Sequence, residues 1–380
     1  MPLRSEAFEI GSWAEWARFA VEQRWTDGLP VYPPTEDGIS AFLDYIRRDP
    51  GEEIGEVAPR QGVATIEKVA INCVMAGCRP EHMPVVLAAL EALLEEPFNL
   101  PGVQTTTNMV EPLTIVSGPV VRELGFATQE TVFGGGGSAV NASIGRAIRL
   151  ILWNIGGGYP GEPCKKTFGH PGRFCFLVAE DVEHSPWPPM HTDYGIPAER
   201  SAVTVFACEP PHSVITLRSD YTPTSYLKII ADHMSAPGSN NSTESAGGEI
   251  FVGLTAYGAE IMSKNGWSRE AVKRYLFEVA RRPLKELKPY KPGMTEPRNW
   301  WATWPTWVDQ GNMDTMCPVA WDAACIHVAV TGRYDKGWSV VCPGWGAEGG
   351  LAVSKPIIKP GEDRKAVMAD VKHIPRARFT

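Results

Sequence analysis

The sequence predicts an α/β protein made of internally repeated strand-turn-helix units around a central sheet, with long Gly/Pro-rich loops. Three observations predict it. Ala/Leu-rich stretches of helical period alternate with short β-branched runs such as Leu113–Ser117. The run Leu113-Thr-Ile-Val-Ser-Gly-Pro-Val-Val-Arg-Glu-Leu-Gly-Phe126 is echoed by Phe251-Val-Gly-Leu-Thr-Ala-Tyr-Gly-Ala-Glu-Ile-Met-Ser-Lys-Asn-Gly-Trp267. Each reads as a strand, a small-residue turn, a short helix and a Gly-aromatic stop. Finally, 37 Gly and 33 Pro among 380 residues demand many fixed turns.

The elements follow in order. Ser12 to Gln23 has helical spacing, with Ser12 and Glu15 arranged as a capping box. The chain breaks at Thr26-Asp-Gly-Leu-Pro30, and a second helix is expected from Glu36 to Arg48. Thr65 is placed to cap a helix reaching Ala76, Gly77 stops it, and Pro80 to Glu96 restarts helix with its prolines near the first turn. The Gly134–Gly137 run leads into a helix from Ala139 to Ile155. Gly156 to Glu199, rich in Gly, Pro, His and Trp, reads as a long ordered loop of the kind that covers binding sites. Val203 to Ala207 resumes a strand. Ser268 to Arg281 is helical, and Ile326–Gly332 is a weaker strand-turn that reads as a third unit. The expected division is an N-terminal helical and extended arm (1–60), a first α/β module (61–234) with its loop at 156–199, a second module (250–360) and a tail (361–380). The Gly/Ser/Asn-rich stretch from Ser235 to Glu249 reads as a flexible boundary.

Hydrophobic residues at 43% and charged residues at 21% are ordinary for a folded chain. Lys and Arg number 36 against 44 Asp and Glu, a net charge of −8 with no basic run to offset it. That balance argues against nucleic acid and against an anionic membrane surface as partners. The longest apolar stretch, Ile144–Ile155, carries Arg146 and Arg149 and is far too short to span a bilayer. Met1–Gly11 lacks the layout of a secretory signal, and eight cysteines without a CxxC read as free thiols. The expected setting is cytoplasmic.

The passage Glu67–Pro80 carries the most chemistry. Cys78 follows the helix stop at Gly77, precedes the Pro80 helix and adjoins Arg79. A helix N-terminus and a guanidinium both favour thiolate and would lower its pKa from about 8.5. Cys78 is therefore the expected nucleophile, against the plainer reading of a buried turn thiol. Lys68 or a loop histidine, His170 or His212, would move protons. Glu67 would hold substrate N–H groups, and Asn72 with Ser138 and the glycine-run amides would stabilise developing negative charge. Asn141 and Arg146 complete an anion cradle at the helix start, one that a carboxylate, a nitro group or a buried structural Glu could fill. Trp187, with Trp300, Trp301, Trp304 and Trp345, could wall a flat ligand or serve core and subunit contacts.

Several passages resemble a widespread, mostly uncharacterised bacterial family. They are Asp27-Gly-Leu-Pro-Val31 with Pro33-Pro-Thr35, Ala64-Thr-Ile-Glu-Lys-Val-Ala-Ile-Asn72 with Val74-Met-Ala-Gly-Cys78, and Asn141-Ala-Ser-Ile-Gly-Arg-Ala-Ile-Arg-Leu150. Glu180 with Ser185-Pro-Trp187, Pro211-His212 and Pro343-Gly-Trp-Gly346 extend the likeness. Some members are associated with thioredoxin-like selenoproteins carrying a UGSC motif, which this chain lacks. Cys78 belongs to the resemblance, whereas Cys73, Cys164, Cys175 and Cys208 depart from it. A similarity to nitroguanidine hydrolase implies hydrolysis of a guanidine-type C–N bond.

The expected function is thus a thiol- or acid/base-assisted hydrolase of a planar guanidine, amidine or amide compound, acting as a homo-oligomer. No cofactor is called for. Three alternatives stay open. One is a thiol redox or transfer protein pairing Cys78 with a distant cysteine. Another is a divalent-metal hydrolase or lyase built from His170, Glu180, His191, Asp193 and His212, although no zinc-type spacing occurs. The third is a non-catalytic small-molecule binder.

Overall fold

Among the described residues, short runs of small and β-branched apolar residues form two four-stranded sheets. The computed structural model describes residues 3–133, 136–216, 220–243, 247–287, 308–309, 311–345 and 350–372. The strands are β1 (Glu111–Ser117), β2 (Leu177–Ala179), β3 (Ala202–Cys208), β4 (His212–Ile215), β5 (Ile250–Leu254), β6 (Ile326–Val330), β7 (Trp338–Pro343) and β8 (Val353–Pro356). The first sheet has the order β2-β1-β3-β8 and the second β6-β5-β7-β4. β1 runs parallel to β2 and antiparallel to β3, which is antiparallel to β8. β5 runs parallel to β6 and antiparallel to β7, which is antiparallel to β4.

The protein is therefore α/β, with the same topology twice. Leu113 pairs with Phe206 in β3, and its counterpart Phe251 pairs with Cys342 in β7. The echo between residues 113 and 251 thus marks the same strand in each unit. The expected single central sheet is not what forms. Each unit gives its fourth strand to the other sheet: β4 follows β3 yet joins β7, and β8 follows β7 yet joins β3. The 326–332 segment is likewise no third unit, because β6 is the parallel partner of β5.

Side chains alternate between two environments along each strand, as the pleat requires. Leu113, Ile115, Phe206 and Cys208 of one sheet pack with Phe251, Ala329 and Cys342 of the other in a shared apolar layer. The opposite faces carry Val116, Val203, Val205 and Ala207 on one side and Ile250, Val252, Val328 and Val341 on the other, each set under helices. The result is a four-layer helix-sheet-sheet-helix stack.

Helices form where the local signals predict. α1 (Trp13–Glu22), α3 (Ile66–Met75) and α7 (Ala139–Asn154) are capped by Ser12, Thr65 and Ser138, whose hydroxyls each accept a backbone N–H of the first turn. The other helices are α2 (Glu36–Ile46), α4 (Met83–Leu93), α5 (Leu100–Thr105), α6 (Val120–Leu124), α8 (Pro223–Met234), α9 (Ala256–Lys264), α10 (Arg269–Val279), α11 (Leu284–Leu287) and α12 (Arg364–Ala369), with short 3-10 turns besides. α3, α4 and α7 cover the first sheet; α8 and α10 cover the second. The 156–199 segment is more ordered than a loop. Its apolar Leu177–Ala179 is fully buried as β2, and Met190–Tyr194 makes a 3-10 turn. Nor does 235–249 read as a flexible boundary where it is described: Asn241 is buried and donates to the carbonyls of Gly247, Glu249 and Val319 at 2.9–3.1 Å. No helix among the described residues is long and apolar enough to cross a membrane.

Candidate functional site

The surroundings of half-buried Cys78 oppose the activated thiolate that its local sequence favours. The residue packs against the helical core beside Cys73, and burial, reinforced by Cys73, pushes its thiol well above the usual range. Arg79, the expected activator, turns away and pairs with Glu81 at 2.9 Å. Local placement at a helix start favours thiolate, but desolvation is larger. The nearest thiol is also not a distant one: Cys73 lies one helical turn back in sequence.

The other residues expected around Cys78 are spread through the fold. Glu67 is buried and receives the backbone N–H groups of Arg4 and Ser5 at 2.8–3.1 Å, tying down the N-terminal arm. Lys68 donates to Val63 O at 2.8 Å on the surface. Asn72 bridges Lys68 O and Asn154, both at 2.8 Å, and lines a groove of about 970 Å³ with Trp13, Trp16, Trp25 and Met75. His212 stacks on His233 at 4.3 Å on an edge strand. Trp187 donates its indole N–H to Trp267 O at 3.1 Å and packs against the second core.

The expected anion cradle is filled from within the chain. Ser138 caps α7 and hydrogen bonds Asn141, which in turn binds the backbone of Ala127 at 2.9 and 3.1 Å. Arg146 forks onto Asp27 at 2.8 and 3.2 Å and donates to Leu29 O and Pro30 O, holding the 26–30 turn. Gly134, Gly135, Trp300, Trp301 and Trp304 lie outside the described residues. Of the metal alternative, no group of three His, Cys, Asp or Glu side chains converges among the described residues.

One predicted residue, His170, does lie in a built polar cluster, but with partners other than those expected. Glu111, the first residue of β1, is fully buried and sits 3.0 Å from Arg149 of α7, 2.8 Å from Lys166 and 3.0 Å from Arg173. Burial pushes the Glu111 carboxyl up, yet the three cations outweigh it and hold it below its ordinary value. Burial pulls Lys166 down to about 8, with Glu111 opposing and Arg149 and Arg173 assisting. It pulls His170 down to about 4, so that ring is neutral at pH 7.

Hydrogen bonding fixes more of the chemistry. His170 Nδ1 accepts from Gly172 N at 3.1 Å, which assigns the ring proton to Nε2. Lys166 Nζ donates to Val110 O as well as reaching Glu111. Arg173 spans Glu111, the Cys164 sulfur at 3.2 Å and Gly158 O at 3.4 Å. Three buried atoms of this one cluster lack a hydrogen-bond partner: Glu111 Oε2, Arg149 Nη1 and His170 Nε2. Arg149 and Glu111 attract as charges, without hydrogen-bond alignment.

Sequence reasoning missed Glu111, Lys166 and Arg173. A signal existed for Glu111, since an acidic residue opening a wholly apolar strand must find a buried cation. Other polar pairs hold the far ends of the strands. Ser117 lies 2.6 Å from His191, whose pKa burial lowers to about 4, and Glu180 accepts Met190 N while burial raises it to about 7. No protein-family model matches this chain, and no curated protein is similar to it.

Proposed function

We propose that this chain is a hydrolase of small planar molecules that cleaves a C–N bond of a guanidine, amidine or amide compound, nitroguanidine-like substrates included, at the Glu111 end of β1. The observation that carries the reading is a buried polar cluster in which His170 Nε2 is a donor without a hydrogen-bond partner, beside the Glu111–Arg149 ion pair at 3.0 Å. A planar C–N compound offers a lone pair for that donor. Lys166 supplies the base. As a neutral amine it directs its two N–H bonds to Val110 O and Glu111, which leaves its lone pair to take a proton from water. The water oxygen bonds to the sp² carbon, the C–N bond breaks, and the leaving nitrogen takes the proton back from Lys166. Arg149 and Arg173 stabilise the negative charge that develops meanwhile.

The test is turnover. Wild type and Lys166→Met would be incubated with nitroguanidine and a panel of guanidine, amidine and amide compounds, and substrate loss and released ammonia measured. Wild type consumes at least one compound, and Lys166→Met is slower by roughly a hundredfold, the usual scale for general-base loss. A wild type inert to the whole panel, or a variant within a few-fold of it, overturns the reading.

A homo-oligomer in a reducing, cytoplasmic setting belongs to the same proposal. Exposed Phe8, Trp13, Val21, Leu29 and Tyr32 around the N-terminal arm supply an apolar face for it. The thiol redox alternative retains one observation, that Cys78 lies beside Cys73 and Cys208 beside Cys342. A thiol titre that falls by two on mild oxidation would favour it.

A further inference from the structure

We infer that the Glu111 cluster is a binding site for a planar oxyanion of the carboxylate class, so that the substrate carries a carboxylate beside its C–N group. The second half of this inference rests on the proposed hydrolysis; the anion site itself does not.

The cluster gathers positive charge in a buried place. Arg149 and Arg173 bring two permanent cations to one carboxylate and Lys166 adds a third when protonated, with the side chains of Arg149 and Lys166 6% and 2% exposed. β3 ends beside Glu111 at Cys208, with the acidic Glu209 next in the chain. β1 contributes Glu111, α7 contributes Arg149, and the segment before β2 contributes Lys166, His170, Arg173 and the Cys164 thiol. The one further acid felt by Arg149 is Asp27, which Arg146 already holds. His170 is neutral, so it does not balance the excess. Buried cations stay charged only where anions meet them. Burial is the chief cause of the depressed proton affinities of Lys166, Arg149 and His170, and the neighbouring cations add to it.

The geometry selects a planar anion. Arg173 spends part of its fork on a long 3.4 Å bond to Gly158 O, a contact that a ligand oxygen could replace with a shorter one. At 18% exposure it is the most open of the three cations and the one solvent reaches first. Together with His170 Nε2–H, a buried donor without a partner, the Arg173 fork suits an anion with two coplanar oxygens better than a single point charge. An anion beside Lys166 also raises its proton affinity, so binding near pH 8.5 takes up a proton.

The experiment is titration calorimetry of the full-length protein at pH 8.5 with sodium benzoate, sodium nitrate and neutral benzamide, in two buffers of different ionisation heat. Benzoate is expected to bind with net proton uptake. Benzamide is expected to bind at least tenfold more weakly, and Arg173→Met to weaken benzoate at least tenfold. Arg173→Lys, which keeps the charge, recovers part of that loss, and melting curves of both variants show that they fold. Binding of nitrate without benzoate would assign the site to a free inorganic oxyanion and overturn the carboxylate-bearing substrate. Absence of both, equal binding of benzamide, or unchanged binding by Arg173→Met would overturn the site. The two proposals fail separately: benzoate binding without turnover of any panel compound sinks only the hydrolysis, and turnover of neutral compounds with no benzoate binding sinks only the anion.

Discussion

The first strand of each unit is preceded or opened by a buried glutamate, Glu111 in one and Glu249 in the other, at matching places in the repeated topology. Their surroundings differ. Glu111 meets Arg149, Lys166 and Arg173, while Glu249 lies 3.1 Å from His327, whose other ring nitrogen is 3.0 Å from the Tyr194 hydroxyl. Glu249 also accepts the N–H of Ala352, just before the exchanged strand β8. At the position of His327 the first unit carries Phe176, and a histidine from the adjoining turn, His170, meets that ring edge-on at 5.2 Å. One glutamate thus closes a network that holds the fold together. The other sits in a cluster with more charge than it can balance. Shared backbone topology fixed where a glutamate is buried, and the segment before the next strand decided what it is buried with.

The largest effect should come from removing each carboxylate in turn. Glu111→Gln leaves three buried cations without their counter-ion and is expected to cost about 3–5 kcal/mol in urea unfolding, the scale for breaking a buried ion pair from one side. Glu249→Gln keeps an acceptor for Ala352 and His327 and should cost about 1–3 kcal/mol. Benzoate or nitrate should restore part of the stability of Glu111→Gln and none of that of Glu249→Gln. Equal costs, with no anion effect, would erase the distinction drawn between the two sites.

The next effect is a pH dependence. Lys166 titrates at about 8 when folded and near 10.5 when unfolded, so between those values the unfolded chain binds more protons. Stability therefore rises with pH across that window, by roughly 3 kcal/mol if the whole shift is expressed. Lys166→Met should flatten the rise. On the acid side the sign reverses in origin: Glu111 has a lowered pKa, so its contribution is present above its unfolded value and lost as pH falls through the folded one. Chemical denaturation at a series of pH values reads both arms, and a wild type with no rise above pH 8 contradicts the buried amine.

The opposite ends of the same strands offer a smaller contrast. Glu180 follows β2 where Thr331 follows β6; the Thr331 hydroxyl bonds Ala179 O at 2.9 Å across the two units. Burial raises Glu180 to about 7, so the folded chain binds more protons than the unfolded one between about 4.5 and 7, and stability falls as pH rises through that range. Glu180→Gln, which still accepts Met190 N, should be more stable than wild type above pH 7 by about 2 kcal/mol and should lose this slope. Melting temperatures at pH 5 and 8 decide it: parallel shifts of both proteins would mean Glu180 ionises normally.

Local interactions were legible in the sequence and tertiary ones were not. Ser12, Thr65 and Ser138 were readable as caps because a cap acts within three residues of itself. The match between 113 and 251 was readable because both copies keep a strand-turn-helix pattern. The exchange of β4 and β8 was not, since nothing in His212–Ile215 or Val353–Pro356 specifies which sheet an edge strand joins. The same divide runs through the site. His170 and Arg149 stood out in the sequence, but Glu111 and Arg173 are 62 residues apart, and the low proton affinity of Lys166 arises only from burial beside them. Cys78 shows the same divide: its local setting favours thiolate, and its tertiary setting opposes it.

The smallest effect on chemistry is therefore expected from Cys78. Its sulfur lies in core packing next to Cys73, and burial keeps its proton on. Cys78→Ala should leave turnover within about threefold of wild type, because the base and the charge-stabilising groups lie at the Glu111 cluster. The cost should appear in stability instead, at about 1 kcal/mol for the small void left in the core. Native thiol labelling should agree, with iodoacetamide reacting at Cys78 no faster than at the fully buried Cys73 until the protein unfolds. A collapse in rate on Cys78→Ala, with the melting temperature unchanged, would return the chemistry to the junction of α3 and α4 and reduce the cationic cluster to a structural one.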